Sequence, residues 1–312
     1  MKTIRSNNDI SSFHRTGVGL GNFDGLHIGH MALINILISE SKLNGLQSIV
    51  YTFTSHPDNI INKNKRTPSL MTLEKKEQIL GQLPLDYLYL EEFNENFAKM
   101  KPVDFVKNIL VDKLKIKLAV AGFDYTFGYK GEGNTNLLKK LGEQYGFKTI
   151  IVPPIKINDE IISSTSIREY ISKGKMEEAF YMLGRPYSIT GIVETGYKLG
   201  SKLGFPTANI TPAPYLLLPS FGVYLTRTLI DGKLYNSITN IGIKPTLELS
   251  DPKVCIETHI LNFSDNIYNK LIEIYFFSKL RDEIKFKDKD ELANQVKSDI
   301  VNATSLFSKH VV

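Results

Sequence analysis

The chain is 312 residues long, about twice a typical single domain, so two domains are expected. Hydrophobic residues make up 42% and charged ones 23%, which excludes a disordered or collagen-like chain. The net charge of +5 comes from scattered Lys and Arg with no dense basic block, so nucleic acid is not an expected partner. The single cysteine, Cys255, excludes a disulfide framework and a zinc cluster together. No apolar run approaches the roughly 18 residues of a membrane-spanning helix. The N-terminal stretch has basic charge without a secretory apolar region, so no membrane partner is expected and the cytoplasm is the expected compartment.

In the first half, apolar and β-branched runs recur at GVGLG (17–21), SIVYTF (48–53), DYLYL (86–90), LAVAGF (118–123) and FKTIIVPP (147–154). Helical spacing lies between them: Leu33, Ile36 and Leu37 share one face, as do Val103, Val106, Ile109 and Leu110. Strand and helix in alternation predict a doubly wound, Rossmann-like parallel sheet covered on both sides. Two further helices follow, ISSTSIREYISKG with Ser164 or Thr165 as N-cap, and MEEAFYMLG ending at Gly184. From Arg185 the texture changes to short strands divided by turn signals, with Asp231-Gly232 reading as a tight hairpin. That pattern predicts an antiparallel β-barrel or sandwich, closed by an amphipathic terminal helix, KDELANQVKSDIVNATSLF. The expected boundary therefore divides residues 1–184 from 185–312.

Chemistry concentrates first in GLGNFDGLHIGH (19–30), between the first strand and the first helix. Glycines 21, 25 and 29 permit close backbone approach, and a helix N-terminus offers free amides to an anion. A dinucleotide fingerprint would need glycine where Asn22 or Asp24 stands, and no Walker lysine motif occurs. His27 and His30, three apart, suit donation to a phosphoryl group whose charge grows in a transition state. Far along the chain, SSTSIR (163–168) adds the hydroxyls of Ser164 and Thr165 and the guanidinium of Arg168, a set fitted to a leaving pyrophosphate. In GFDYTFGYKGEG (122–133), Asp124 offers an acceptor and Phe127 a ring. His56, in TFTSHP, reads as structural.

These residues resemble the HxGH and ISSTxxR signatures of the nucleotidyltransferase superfamily. The literal HIGH also occurs in class I tRNA synthetases, but no KMSKS accompanies it here. In the second half, GYKLGSKLGFPTANI (196–210), FGVY, NIGIKPT, VCIETHIL and KLRDEIKF resemble riboflavin kinase. Together they resemble the bacterial bifunctional riboflavin kinase/FMN adenylyltransferases, or FAD synthetases.

That resemblance implies two ATP-dependent steps: riboflavin to FMN in the C-terminal domain, and FMN to FAD with release of pyrophosphate in the N-terminal one. It implies His27, His30 and Arg168 as catalytic groups of the second step, with ATP held by Gly21, Asn22, Phe23, Asp24, Gly29, Asp124, Ser164 and Thr165. For the kinase it implies Glu257 as the base and Gly200, Lys202, Gly204, Pro206, Thr207, Asn209 and Arg281 around ATP and flavin. Thr207 and Asn209 offer hard ligands for Mg2+. Ser201 stands where arginine commonly follows the glycine, and NIYN (266–269) replaces D-L-Y-G. Two alternatives stay open: an adenylyltransferase whose barrel only docks flavin, and a flavin or nucleotide sensor without turnover.

Overall fold

A computed structural model of the chain describes residues 1–6, 13–61, 66–195, 204–244 and 253–309. The chain folds into two compact units, Met1–Ser164 and Thr165–Val312.

In the first unit, strands β1 (Lys2–Arg5), β2 (Thr16–Leu20), β3 (Gln47–Phe53), β4 (Tyr87–Glu91), β5 (Ile116–Gly122) and β6 (Lys148–Val152) form one parallel sheet in the order β1-β4-β3-β2-β5-β6. The expected strands are present within a residue or two of their expected ends, and β1 is an additional edge strand. From β2 the chain steps outward through β3 to β4, then returns to add β5 and β6 on the other side. β2 and β5 thus flank a topological switch point, where ligands bind beyond the carboxyl ends of strands.

Alternate residues of each strand feed two cores, as a sheet buried on both faces requires. Val18, Leu20, Tyr51, Tyr89, Ala119 and Ala121 join Phe105, Leu110 and Leu138 on one face. Val50, Leu88, Leu118 and Val120 join Leu33, Ile34, Leu37 and Leu80 on the other. Helix α1 (Ile28–Leu43) lies so close to β2 that a Cβ on Gly17 would stand 2.3 Å from Ser41 Oγ, and one on Gly19 would stand 3.0 Å from Leu37 Cδ2. Its buried residues are Leu33, Ile34, Leu37 and Ser41, with Ile36 only partly buried.

The next expected helix departs further from its pattern. A short α2 (Asp58–Ile61), α3 (Leu73–Leu80), α4 (Glu95–Ala98) and α5 (Pro102–Asp104) precede a π-helical stretch at Phe105–Lys113. There Leu114 N–H donates to Ile109 O at 2.9 Å. Five-residue bonding widens the turn, so Phe105, Val106 and Leu110 face the core, Ile109 is partly buried, and Val103 is 43% exposed. Helix α6 (Thr135–Tyr145) and a two-strand hairpin, β7 (Lys156–Ile157) with β8 (Glu160–Ile161), complete the unit.

In the second unit, α7 (Ser164–Ser172, beginning one residue earlier) is followed by α8 (Met176–Leu183), which packs against β14 (Leu271–Arg281) and β9 (Tyr187–Glu194). With β10 (Ala208–Ile210), β11 (Gly222–Ile230), β12 (Lys233–Lys244) and β13 (Lys253–Ile260), these strands close an antiparallel barrel in the order β10-β13-β12-β11-β14-β9. Asp231 (φ 47°) and Gly232 (φ 80°) form the hairpin turn between β11 and β12, as Asp-Gly predicts. On the outer face, Val223, Leu225 and Ile238 pack against Ala303 of the terminal helix α9 (Lys289–Lys309). The alternate residues point inward and make a layer of hydroxyls. Thr226 meets Ser237 and Thr239 at 2.8 Å each, and Thr239 donates to Thr258 at 2.9 Å, all fully buried.

Because each hydroxyl satisfies another, removing one leaves buried partners unpaired. Thr239→Val should therefore cost about 1–3 kcal/mol in urea unfolding; an unchanged midpoint would show that the layer is energetically idle.

Candidate active sites

The first site is built where β2 ends. Leu20 pairs with Ala121, so the segments leaving β2 and β5 sit side by side at the carboxyl edge of the sheet. Between Leu20 and α1 the backbone takes left-handed conformations at Phe23 (φ 50°), Gly25 (φ 84°) and Leu26 (φ 41°). A non-glycine residue there costs on the order of 1–2 kcal/mol. Burial holds both side chains in place, since Phe23 and Leu26 have no exposed surface.

Polar braces complete the hold. Asn22 O accepts from Thr52 Oγ1 at 2.8 Å and from Lys76 Nζ at 2.9 Å. The buried Asp24 carboxylate accepts from Leu70 N–H at 3.0 and 3.2 Å, and Asp24 O accepts from Ser164 Oγ at 2.9 Å. Burial lowers the Lys76 ammonium to about 8, an effect that the charge of Asp24 partly offsets.

His27 is the N-cap of α1 rather than part of its first turn: its Nδ1 accepts from His30 N–H at 3.2 Å. The two imidazoles stack with centroids 3.6 Å apart and planes 18° apart, while Phe23 meets His30 edge-on at 5.3 Å. A Cβ on Gly29 would stand 3.1 Å from the His27 ring, which explains the glycine of HIGH. One on Gly21 would stand 3.2 Å from the Phe23 ring. Stacked rings, a helix N-terminus and a loop of braced amides make a donor-rich cradle for an anion.

Asp124 is exposed just beyond β5. Phe127, by contrast, is buried in the core against Phe105 and Tyr125, so its ring is structural. Phe123, passed over in the sequence, is the ring left 42% exposed at that edge. His56 closes a local turn with Asp58 (3.3 Å to its N–H), consistent with a structural part. Ser164 starts α7 against the motif loop; Thr165, exposed, and Arg168, half-buried, follow on the same helix in the second unit.

The second site lies on the outer wall of the barrel, in a cavity of about 210 Å3 bordered by α9. Thr207, Glu257 and Arg281 line it, as do Asn240 and His259. Cys255, Glu257 and His259 are the half-buried face of β13, and Ile256, Thr258 and Ile260 the buried one, as period two requires. Strand register sets Glu257 between Asn209 on β10 and Asn240 on β12. Cys255 Sγ reaches Asn209 Oδ1 at 3.4 Å and Glu257 Oε1 at 3.3 Å, so amide oxygen and carboxylate converge. His259 Nδ1 lies 2.8 Å from Pro206 O and fixes the residue before Thr207. Gly204 is exposed with φ 88°. Arg281 is gripped by the buried Asp299 at 2.8–3.1 Å, which makes it a charged wall post of the cavity. Gly200 and Lys202, with Gly196 and Ser201, lie outside the described residues.

Sequence reading missed Asn240, Asp299 and Lys76. Only Lys76 left a usable signal: it occupies the buried stripe of α3 four residues before Leu80. Among the described residues there is no His/Cys/Asp/Glu cluster able to hold a metal, and no helix long and apolar enough to cross a membrane.

The family model for FAD synthetase matches residues 9–166, and that for riboflavin kinase matches residues 183–307. Bifunctional riboflavin kinase/FMN adenylyltransferases are similar over most of their length: 37% identity to that of Buchnera aphidicola from Schizaphis graminum, covering 99% of each chain. For Bacillus subtilis the identity is 35%, covering 93% of this chain and 92% of the relative. For Escherichia coli K12 it is 32% over 98% of each. A crystal structure from Streptococcus pneumoniae, described as a macrolide-efflux protein, superposes with TM-score 0.88 at 30% identity over 97% of this chain and 98% of its own. On matches that span both halves in order, the chain belongs to the family of bifunctional riboflavin kinase/FMN adenylyltransferases, which carry both the FAD synthetase and the riboflavin kinase domain.

Proposed function

We propose that the two steps divide between the two sites at the residue level. Adenylyl transfer belongs to residues 1–184 and riboflavin phosphorylation to residues 185–312. The division follows Gly184, beyond the end of the first compact unit at Ser164.

At the first site, His27, His30 and Arg168 stabilise charge on the α-phosphorus of ATP as an oxygen of the FMN phosphate attacks it and pyrophosphate leaves. Gly21, Asn22, Phe23, Asp24 and Gly29 shape the cradle, Asp124 accepts from the nucleoside, Thr165 donates toward the phosphates, and Ser164 braces Asp24 O from the start of α7. A phosphate monoester is already nucleophilic, so the reaction needs donors and no general base. The stacked histidine pair on the N-terminus of α1 is the observation that carries this reading.

At the second site, Glu257 takes the proton of the ribityl 5′-hydroxyl of riboflavin, whose oxygen attacks the γ-phosphorus of ATP and releases ADP. Gly200, Lys202, Gly204 and Pro206 are assigned to nucleotide binding, and Arg281 bounds the pocket. The oxygens of Thr207 and Asn209, beside Glu257, are hard donors of the kind Mg2+ prefers. When bound, Mg2+ neutralises charge on the transferring phosphoryl group. With one cysteine in the chain, the cytoplasm is the proposed compartment.

Chromatography of riboflavin, FMN and FAD after incubation with ATP separates the two roles. His30→Ala should lower FAD formation by about 100- to 1000-fold while FMN still accumulates. Glu257→Gln should stop conversion of riboflavin yet leave added FMN convertible to FAD. Loss of both activities from either change in folded protein would refute the division.

A further inference from the structure

Among the described residues, Lys76 is the one buried lysine or arginine, and it stands behind the motif loop with no part yet in the chemistry of the site. Helix α3 is capped by Thr72, whose Oγ1 accepts from Lys75 N–H at 3.2 Å, and it buries Lys76 and Leu80 on one face. The ammonium donates to Asn22 O at 2.9 Å, on an oxygen already bonded by Thr52 at 2.8 Å. Two donors use both lone pairs of that carbonyl. The peptide between Asn22 and Phe23 is trans. With the Asn22 carbonyl drawn toward Thr52 and Lys76, the N–H of Phe23 must therefore point the opposite way. Phe23 is itself one of the two strained positions that lead to His27.

Hydrogen bonding at the carbonyl does not by itself require a lysine, since Thr52 already satisfies that oxygen. Burying an ammonium is costly, and the lowering of Lys76 to about 8 reflects that cost. A fold that needed only a filler here would be better served by methionine or leucine. We propose that Lys76 is a positioning residue for adenylyl transfer, fixing the Asn22–Phe23 peptide so that the Phe23 amide is offered to the phosphate chain of ATP. The inference rests on the reading of residues 21–30 as the triphosphate cradle and adds to it the element that sets its geometry from behind.

The full-length enzyme supplies its own control, because riboflavin phosphorylation is measured in the same sample. For Lys76→Met, kcat/KM for ATP in FAD formation should fall about ten- to hundredfold, the scale of a displacement near 1 Å at a reacting centre. Riboflavin phosphorylation should stay within twofold. Lys76→Arg, which keeps the charge and the donor, should recover most of the loss. FAD formation within twofold of wild type in Lys76→Met, an equal fall of both activities, or an arginine variant as impaired as the methionine one would overturn the proposal. His30→Ala in parallel keeps the two ideas apart. If it leaves FAD formation intact, the cradle itself is wrongly assigned. If it abolishes FAD formation while Lys76→Met does not, only the role of Lys76 fails.

Discussion

The turn from β2 into α1 must leave a buried strand, pass two left-handed non-glycine residues and deliver a histidine to the helix cap. Nothing local favours that path. Phe23 and Leu26 follow it because their side chains have nowhere else to bury, and because Thr52, Lys76, Leu70 and Ser164 hold the carbonyls and carboxylate of the loop from four separate segments. Once the loop is so held, the cap nitrogen of His27 is used by His30 N–H, and the two rings can only stack. On the proposed reading, a cradle fixed before substrate arrives does not have to reorganise when charge develops, the main resource of a site without a general base.

The kinase half solves a different problem. Its barrel is filled with hydroxyls rather than only with aliphatic side chains, and each hydroxyl is satisfied by a neighbour on the next strand. Such a layer ties the strands together across the barrel and fixes their register. Register also sets Asn209 on β10 and Asn240 on β12 opposite Glu257, the group proposed as base. The interior polar layer and the exterior site are thus two faces of the same strands.

The two sites also differ in charge in the way their reactions demand. An alcohol must lose a proton to become a nucleophile, and a carboxylate, the proposed base, stands at the pocket wall of the barrel. A phosphate needs no such help, and in the proposed first site imidazoles and amides take the place of a carboxylate, with the Lys76 ammonium engaged behind the loop on Asn22 O. Because FMN is the product of one step and the nucleophile of the other, a single chain completes the route from riboflavin to FAD.

Much of this was legible in the sequence. The alternating strands, the Asp-Gly hairpin, the histidine motif and the face of β13 all follow from patterns within a few residues, where covalent geometry sets the period. Other features were not legible. The π-helical turn moved Val103 to solvent, and Phe127 went into the core while Phe123 stayed outside. The first compact unit ends at Ser164, ahead of the change of texture at Arg185. Lys76 reaching Asn22, and Asn240 standing beside Glu257, join residues far apart along the chain. By itself the sequence determined which elements form and which residue types the chemistry uses. The tertiary structure decided which of them meet, because a contact between distant segments depends on the packing of every element between them, and no local period encodes that.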